Sequence, residues 1–529
     1  MRISVGILML TAAMASVPLM AQSVPATAVT AEGASNPCAA NSGLGDWSGK
    51  PSWNGWGASL TNARFQDANG AQLAPEHVSR LKLKWAFGFP GAKAVYGQPA
   101  VIAGRIFLGV DTGSVYSIDS VSGCAYWSYQ AAGPVRSAIS IGPGRTPGEY
   151  LAYFGDLKGN AYALNATTGE QVWETQVDPH AAAKITGAPQ LYQTRLYVPV
   201  ASDEERMAVE PTYECCTFRG SVVALDAFTG RQIWKTFVVP KTPKATGKNA
   251  KGTQQFGPAG GGVWNSPTID PQRHALYVGT GDAYTAPAAK ATDSILALDL
   301  DTGRVLWSVQ DLAGDAWVVS CIAGRGSPEN CPKNAGPDFD FGASPILRTL
   351  PNGKTILVAG QKSGIIWAHD PDQRGAVIWK TSVASKQPGP QGQLNFGGSA
   401  DDRNAYFGLN SGGIVALSLT YGERLWFTDI EPASGRNRGQ DAAVSTIPGV
   451  LFSGGWDGVL RALATDNGKI LWTFDMMRDF DTVNGIPAKG GSMGSSGPTV
   501  AGGMVFAGAG YPGVQNGRNG NVLLAFAVE

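Results

Sequence analysis

The sequence predicts an all-β fold: an eight-bladed β-propeller with tryptophan-docking repeats, its ring closed by strands from the two ends of the chain. Three observations predict it. A phrase of alternating apolar residues, a turn and a tryptophan recurs seven times, and an eighth copy is split between the two ends of the chain. The composition, with 70 Gly, 33 Pro and 15 Trp among 529 residues and only 16% charged, suits many short strands joined by tight turns.

The complete copies begin with GSVYSIDSVSGCAYW at Trp127 and GNAYALNATTGEQVW at Trp173. They continue with GSVVALDAFTGRQIW at Trp234, SILALDLDTGRVLW at Trp307 and GIIWAHDPDQRGAVIW at Trp379. GGIVALSLTYGERLW at Trp426 and GVLRALATDNGKILW at Trp472 complete the set. Each reads as two strands around a turn. The period-two alternation buries one or both faces, the turn Asp bonds its own backbone, and the turn Gly takes φ > 0. The tryptophan is expected to dock between neighbouring sheets. In the split copy, Leu81-Lys82-Leu83-Lys84-Trp85 supplies the tryptophan half and Gly520-Asn521-Val522-Leu523-Leu524-Ala525-Phe526 the other. Joining them removes the exposed sheet edges.

This divides the chain into a signal segment (1–21), an N-terminal extension (22–80) and the propeller (81–529). Met1, Arg2 and the apolar run from Ile3 to Ala21 read as a secretory signal, which places the mature chain in the periplasm. No later segment has ~18 uninterrupted apolar residues, so no membrane span is expected. The 41 basic and 41 acidic side chains cancel, which leaves no electrostatic argument for nucleic acid. The six cysteines of an exported chain favour disulfides. Cys321 and Cys331 flank one loop and are expected to pair. The adjacent Cys215 and Cys216 either close an eight-membered ring or remain thiols, and Cys38 with Cys124 follows by elimination.

Successive tryptophans lie 42, 46, 61, 73, 72, 47 and 46 residues apart. A four-stranded blade needs about 40–50 residues, so the three middle blades carry insertions, and long insertions in a compact domain are where function concentrates. Four carboxylate-bearing segments lie there: Ser202-Asp203-Glu204-Glu205, Gly279-Thr280-Gly281-Asp282, Asp315-Ala316-Trp317 and Asp338-Phe339-Asp340. A lone strand-end Asp is ordinarily a turn former. Several on consecutive blades can converge near the axis as oxygen ligands for a hard cation, calcium above all. Trp264 falls outside the repeating position and is either core or a flat platform for a planar ligand. Lys362 opens a blade strand, where it can pair with an anionic cofactor or reach water.

These phrases resemble the alcohol dehydrogenases that depend on pyrroloquinoline quinone (PQQ), and most closely their polyvinyl-alcohol-dehydrogenase-like branch. The resemblance is carried by the tryptophan repeats, GWGASLTNARFQ, ECCTFRGSVVALDAFTG, GGGVWNSPTIDPQRHALYVGTGDAY and PDFDFGASPIL. It implies an eight-bladed propeller that holds PQQ and calcium near its axis. It implies that Thr186, in Ile185-Thr186-Gly187-Ala188-Pro189, touches the quinone, and that Glu204, eighteen residues on, binds the metal, with Glu205 and Glu214 as fallbacks. Asp282 stands where the family commonly has Asn, and Trp264 keeps the platform's spacing to Asp270. Cys215 and Cys216 match the family's adjacent-cysteine disulfide over the cofactor, and Lys362 its basic partner of the quinone oxygens.

For the general base, one alignment selects Asp338 and another Asp340; Asp338 is preferred, and either can ligate the metal. An Asp two residues after the base resembles lanthanide-using members, which leaves calcium or a lanthanide open. The sequence has no Cys-x-x-Cys-His, so the resemblance implies that electrons leave to a separate cytochrome c. The implied substrates are alcohols, secondary ones first and polymers such as polyvinyl alcohol among them. Two alternatives stand: a quinoprotein acting on sugars or aldehydes, and a non-catalytic propeller that scaffolds other proteins.

Overall fold

The computed structural model describes residues 36–41, 43–383, 393–432, 435–512 and 517–529. The expected signal segment lies outside them. Eight antiparallel sheets follow one another around a ring, seven of four strands and one, in blade 3, with a short fifth strand, Ala183–Lys184, beside Arg195–Ser202. Blades 1 to 7 each use consecutive strands, as in blade 4 with Thr268–Asp270, Ala275–Gly279, Ser294–Asp299 and Val305–Gln310. The first strands of consecutive blades touch one another around the axis. Blade 8 is the composite expected: Thr499–Ala501, Met504–Ala509 and Val522–Val528 are completed by Leu81–Gly88 from the other end.

The repeat has a steric cause. Seven of the eight repeat tryptophans donate the indole N–H to a carbonyl of the following blade, as Trp173 does to Ala227 at 2.9 Å and Trp472 to Leu81 at 3.1 Å. The indole lies against the turn glycine of that blade. At Gly303, with φ +68°, a Cβ would come within 2.5 Å of the Trp234 ring, so the glycine answers both the backbone conformation and the close approach. Seven of the tryptophans form such a joint with the glycine of the next turn; Trp472 faces the split blade, where the two chain ends stand in place of that turn.

The N-terminal extension runs through the ring. Trp53 exchanges backbone hydrogen bonds with Val101 of blade 1, and Asn54 pairs its amide with Ile141 of blade 2. Leu60, Thr61 and Ala63 then accept from Ile269, Leu347 and Ala400 of blades 4, 5 and 6. Arg64 and Gln66 bond Thr446 of blade 7, and the Gln66 side chain donates to Val500 of blade 8. The innermost strand of each blade is an open sheet edge, and this strap supplies hydrogen-bond partners to that edge in seven of the eight blades. All three expected disulfides form: Cys38–Cys124, Cys215–Cys216 and Cys321–Cys331.

Candidate active site

The turns that carry the repeat lie on one face of the ring; the connections that bear the candidate residues lie on the other. There they surround a cavity of about 630 Å³, lined among others by Thr186, Glu205, Trp264, Asp282, Asp338, Asp340 and Lys362. The seven arrive from six different connections, Asp338 and Asp340 sharing one, so the convergence is a property of the closed ring.

Lys362 is the centre of charge. Its Nζ lies 2.7 Å from an oxygen of Asp338 and 2.7 Å from one of Asp340. The other oxygen of Asp340 accepts the Trp264 indole N–H at 2.8 Å. Burial pulls the Lys362 ammonium down, but Asp338, Asp340, Asp282 and Glu205 outweigh it and hold its pKa well above the ordinary value. The carboxyls respond in the opposite sense. Burial raises Asp338, to about 8, against the pull of Lys362 and with Asp340 and Glu205 adding to the rise. Burial and then Asp338, Asp340 and Glu205 push Asp282 well up, and burial raises Glu205. Within this cluster four carboxyls face the one ammonium of Lys362; Arg136, Lys184, Arg206 and Arg325 also line the cavity.

Trp264 is half-buried, unlike the fully buried side chains of the core. Its ring has Phe396 edge-on at 6.1 Å and the Lys362 ammonium 5.1 Å from its centroid. A Cβ at Gly342 would stand 1.8 Å from the Trp264 ring, so only glycine lets the indole lie there. Thr186 donates to the Trp264 carbonyl at 3.4 Å. Trp264 therefore presents a ring face to the cavity and is not part of the core.

Two expectations are corrected. Glu204 does not face the cavity: its carboxylate accepts from the backbone N–H groups of Thr217 and Phe218, both at 2.8 Å, and from the Tyr213 hydroxyl at 3.0 Å. Those bonds use up its oxygens in holding the loop that follows. Glu205, the next residue in a single helical turn, Glu204–Met207, points the other way and lines the cavity; Glu214 is exposed. The Cys215–Cys216 ring forms but is buried in the core between blades, with Phe218, Ala259, Tyr284 and Val318, and neither cysteine is among the residues that line the cavity.

Sequence reasoning left Asp315 without a role, and here it is a brace. Its side chain accepts the Phe339 N–H at 2.8 Å and that of Asp338 at 3.3 Å, while Trp317 donates to the Ala283 carbonyl at 2.7 Å. This ties the Asp282 loop to the Asp338 loop and holds Asp338 at φ 62°. Reasoning from the sequence missed Arg136, Asn395, Phe396 and Asp441, which also line the cavity. They come from the connections 131–139, 383–398 and 429–444, outside the enlarged blades, where ordinary tryptophan spacing gave no signal. Asn395 donates to Asp441, and burial raises the Asp441 carboxyl to about 7.

The donor set fits a cation. Asp282 has a buried oxygen with no hydrogen-bond partner, and the Lys362 ammonium already bridges two of the other carboxylates. Among the described residues, however, no three His, Cys, Asp or Glu stand close enough to form a finished cage.

Comparison with known proteins agrees with this geometry. The family model described as "PQQ: Glucose/ethanol/alcohol dehydrogenase, beta-propeller domain" matches residues 53–320. The chain is 40% identical over 509 residues to a polyvinylalcohol dehydrogenase of Pseudomonas sp, covering 92% of this chain and 78% of that one. Among solved structures, a quinohemoprotein alcohol dehydrogenase from Pseudomonas putida HK5 superposes with a TM-score of 0.69 at 18% identity, over 90% of this chain and 80% of that one. A europium-containing methanol dehydrogenase gives 0.65 at 17% identity, over 90% and 98%. At those identities the structural matches speak for the fold alone.

Proposed function

Because the chain belongs to the family of β-propeller alcohol dehydrogenases that use PQQ, we propose that it is a periplasmic enzyme oxidising alcohols, secondary and polymeric ones such as polyvinyl alcohol among them, and that a separate cytochrome c takes the electrons. One observation carries the reading: a half-buried tryptophan face flanked by an ammonium and four carboxylates in one axial cavity. A flat, polyanionic quinone beside a hard cation matches that inventory of a plane, a positive charge and oxygen donors.

Asp282, Glu205 and Asp340 would hold the cation, with Asp338 at its edge; calcium and a lanthanide both suit an all-oxygen set. When bound, PQQ supplies the two-electron acceptor that takes hydrogen from the alcohol carbon. The remaining tasks fall to this chain. Trp264 and Thr186 fix the plane of the ligand. Lys362 offers its ammonium to quinone oxygens, where negative charge grows during reduction. Asp338 accepts the hydroxyl proton as general base. Asp338 suits that role through a pKa raised toward working pH, while one oxygen of Asp340 is already committed to the Trp264 indole.

The test is reconstitution. The apoprotein is mixed with PQQ and calcium or a lanthanide, and dye reduction is followed over primary alcohols, secondary alcohols, polyvinyl alcohol and sugars. Turnover of alcohols that needs both additions is expected. Turnover of sugars alone would replace the substrate assignment, and no turnover with any substrate and either metal would refute the enzymatic one.

A further inference from the structure

The strap that lines the ring contributes to the cofactor cavity. Trp56 lies within it and lines a small adjoining void of about 20 Å³ together with Thr186, Trp264 and Phe396. Arg64 stands behind Trp56, its guanidinium carbon 4.7 Å from that ring's centroid and 5.4 Å from that of Trp53. Arg64 is fully buried. Its donors go to the carbonyls of Trp56 and Val444, to Gln98 Oε1 at 3.1 Å and to Ser445 Oγ at 2.8 Å, all of them neutral. Among the described residues no carboxylate pairs with it. Burial alone sets its pKa, lowering it to about 9.

A guanidinium taken out of water without a counter-ion is costly, and buried charges are ordinarily paired. The neutral acceptors satisfy its hydrogen bonds but not its charge. No carboxylate among the described residues neutralises Arg64 by direct contact, and in a low-dielectric interior its charge reaches beyond the groups it touches, to the Trp56 side of the cavity.

Resting on the cofactor assignment above, we infer that Arg64 is a positioning residue for an anionic planar ligand: acting through Trp56, its unpaired charge favours the carboxylated form of the quinone in the cavity. The strap that closes the sheet edges of the ring would then also hold the cofactor's counter-charge, so that a correctly closed ring and a charge-competent site form together.

Gln98→Glu provides the decisive variant, because it gives Arg64 the counter-ion it lacks without removing a strap contact. Apoprotein is titrated with PQQ and with its trimethyl ester, in the absence of alcohol, by tryptophan quenching and by the shift in melting temperature. Gln98→Glu is expected to weaken PQQ binding roughly tenfold, to leave the ester's affinity unchanged, and to leave the apoprotein no less stable. Arg64→Lys, which keeps the charge, should retain the preference for acid over ester; Arg64→Gln, where it folds, should lose it. Equal PQQ affinity in wild type and Gln98→Glu would overturn the inference, as would an equal loss for acid and ester, which marks a structural effect only. A wild-type protein that binds neither compound would refute the cofactor assignment and this inference with it.

Discussion

The two faces of the ring use the same residue in opposite ways. In the repeat turns an aspartate is satisfied by its own backbone: Asp299 accepts from the N–H groups of Asp301 and Thr302 and from the Thr302 hydroxyl, and the Thr302 hydroxyl bond is the main cause that lowers its pKa. Asp226 repeats the pattern with Phe228 and Thr229. On the other face Asp282 keeps a buried oxygen without any partner, and burial beside other carboxylates drives its pKa up. The turn aspartate is satisfied locally and serves the fold. The site aspartates are satisfied, where they are, only by side chains of other blades: Asp338 and Asp340 share the Lys362 ammonium, and Asp282 keeps one oxygen without a partner.

The largest break in this comparison should come at Asp338. Asp338→Ala is expected to lower kcat on alcohols roughly 10³-fold with the melting temperature of the apoprotein preserved, as measured by dye reduction and circular dichroism. Retained turnover would move the base elsewhere. Next, Glu205→Ala should abolish the dependence of PQQ binding on added metal and leave stability almost untouched. Glu204→Ala should do the reverse, costing about 1–3 kcal/mol by stranding two backbone N–H groups and a hydroxyl, with metal dependence retained. Denaturant unfolding and metal titration of the two variants would separate adjacent residues that the sequence cannot tell apart.

A pH series sharpens the same contrast. Carboxyls whose folded pKa is raised keep protons that the unfolded chain has already released, so their contribution to stability is complete below about pH 4 and is lost as pH rises through the folded values. Asp441, at about 7 in the fold, should make the metal-free protein less stable at pH 8 than at pH 5, by at most about 3 kcal/mol. Asp441→Asn should flatten that slope; an unchanged slope would clear Asp441 of responsibility. The smallest effect is expected at the turns. Asp299→Ala should cost about 1 kcal/mol and leave kcat and KM as they were, since its bonds serve one turn on the far face.

How much of this was legible follows from where each signal sits along the chain. The blade count was readable because both halves of the joint sit in one short phrase, the turn glycine four residues before the tryptophan, as in Gly303 and Trp307, and that phrase recurs in every complete copy. Lys362, Asp282 and Trp264 were legible through enlarged blades and departures from the repeat. Glu204 was misjudged because a single helical turn places adjacent residues on different sides, and spacing alone cannot choose between them. Asp441 and Arg136 were invisible because each stands in a blade of ordinary tryptophan spacing, with no departure from the repeat to mark it.

By itself the sequence determined the ring: eight copies of a strand–turn–tryptophan phrase, a split copy that joins the ends, and cysteines able to pair. Those features rest on contacts local to one turn or shared by adjacent blades, and such contacts leave a periodic trace. Only the tertiary structure decided which carboxylates face the axis, that Lys362 bridges two of them, and that a strap from the N-terminal extension brings a buried, unpaired cation beneath the cavity. Those relations join residues from unrelated connections, and they come into being when the ring closes and burial strips the water from charges that a linear chain keeps apart.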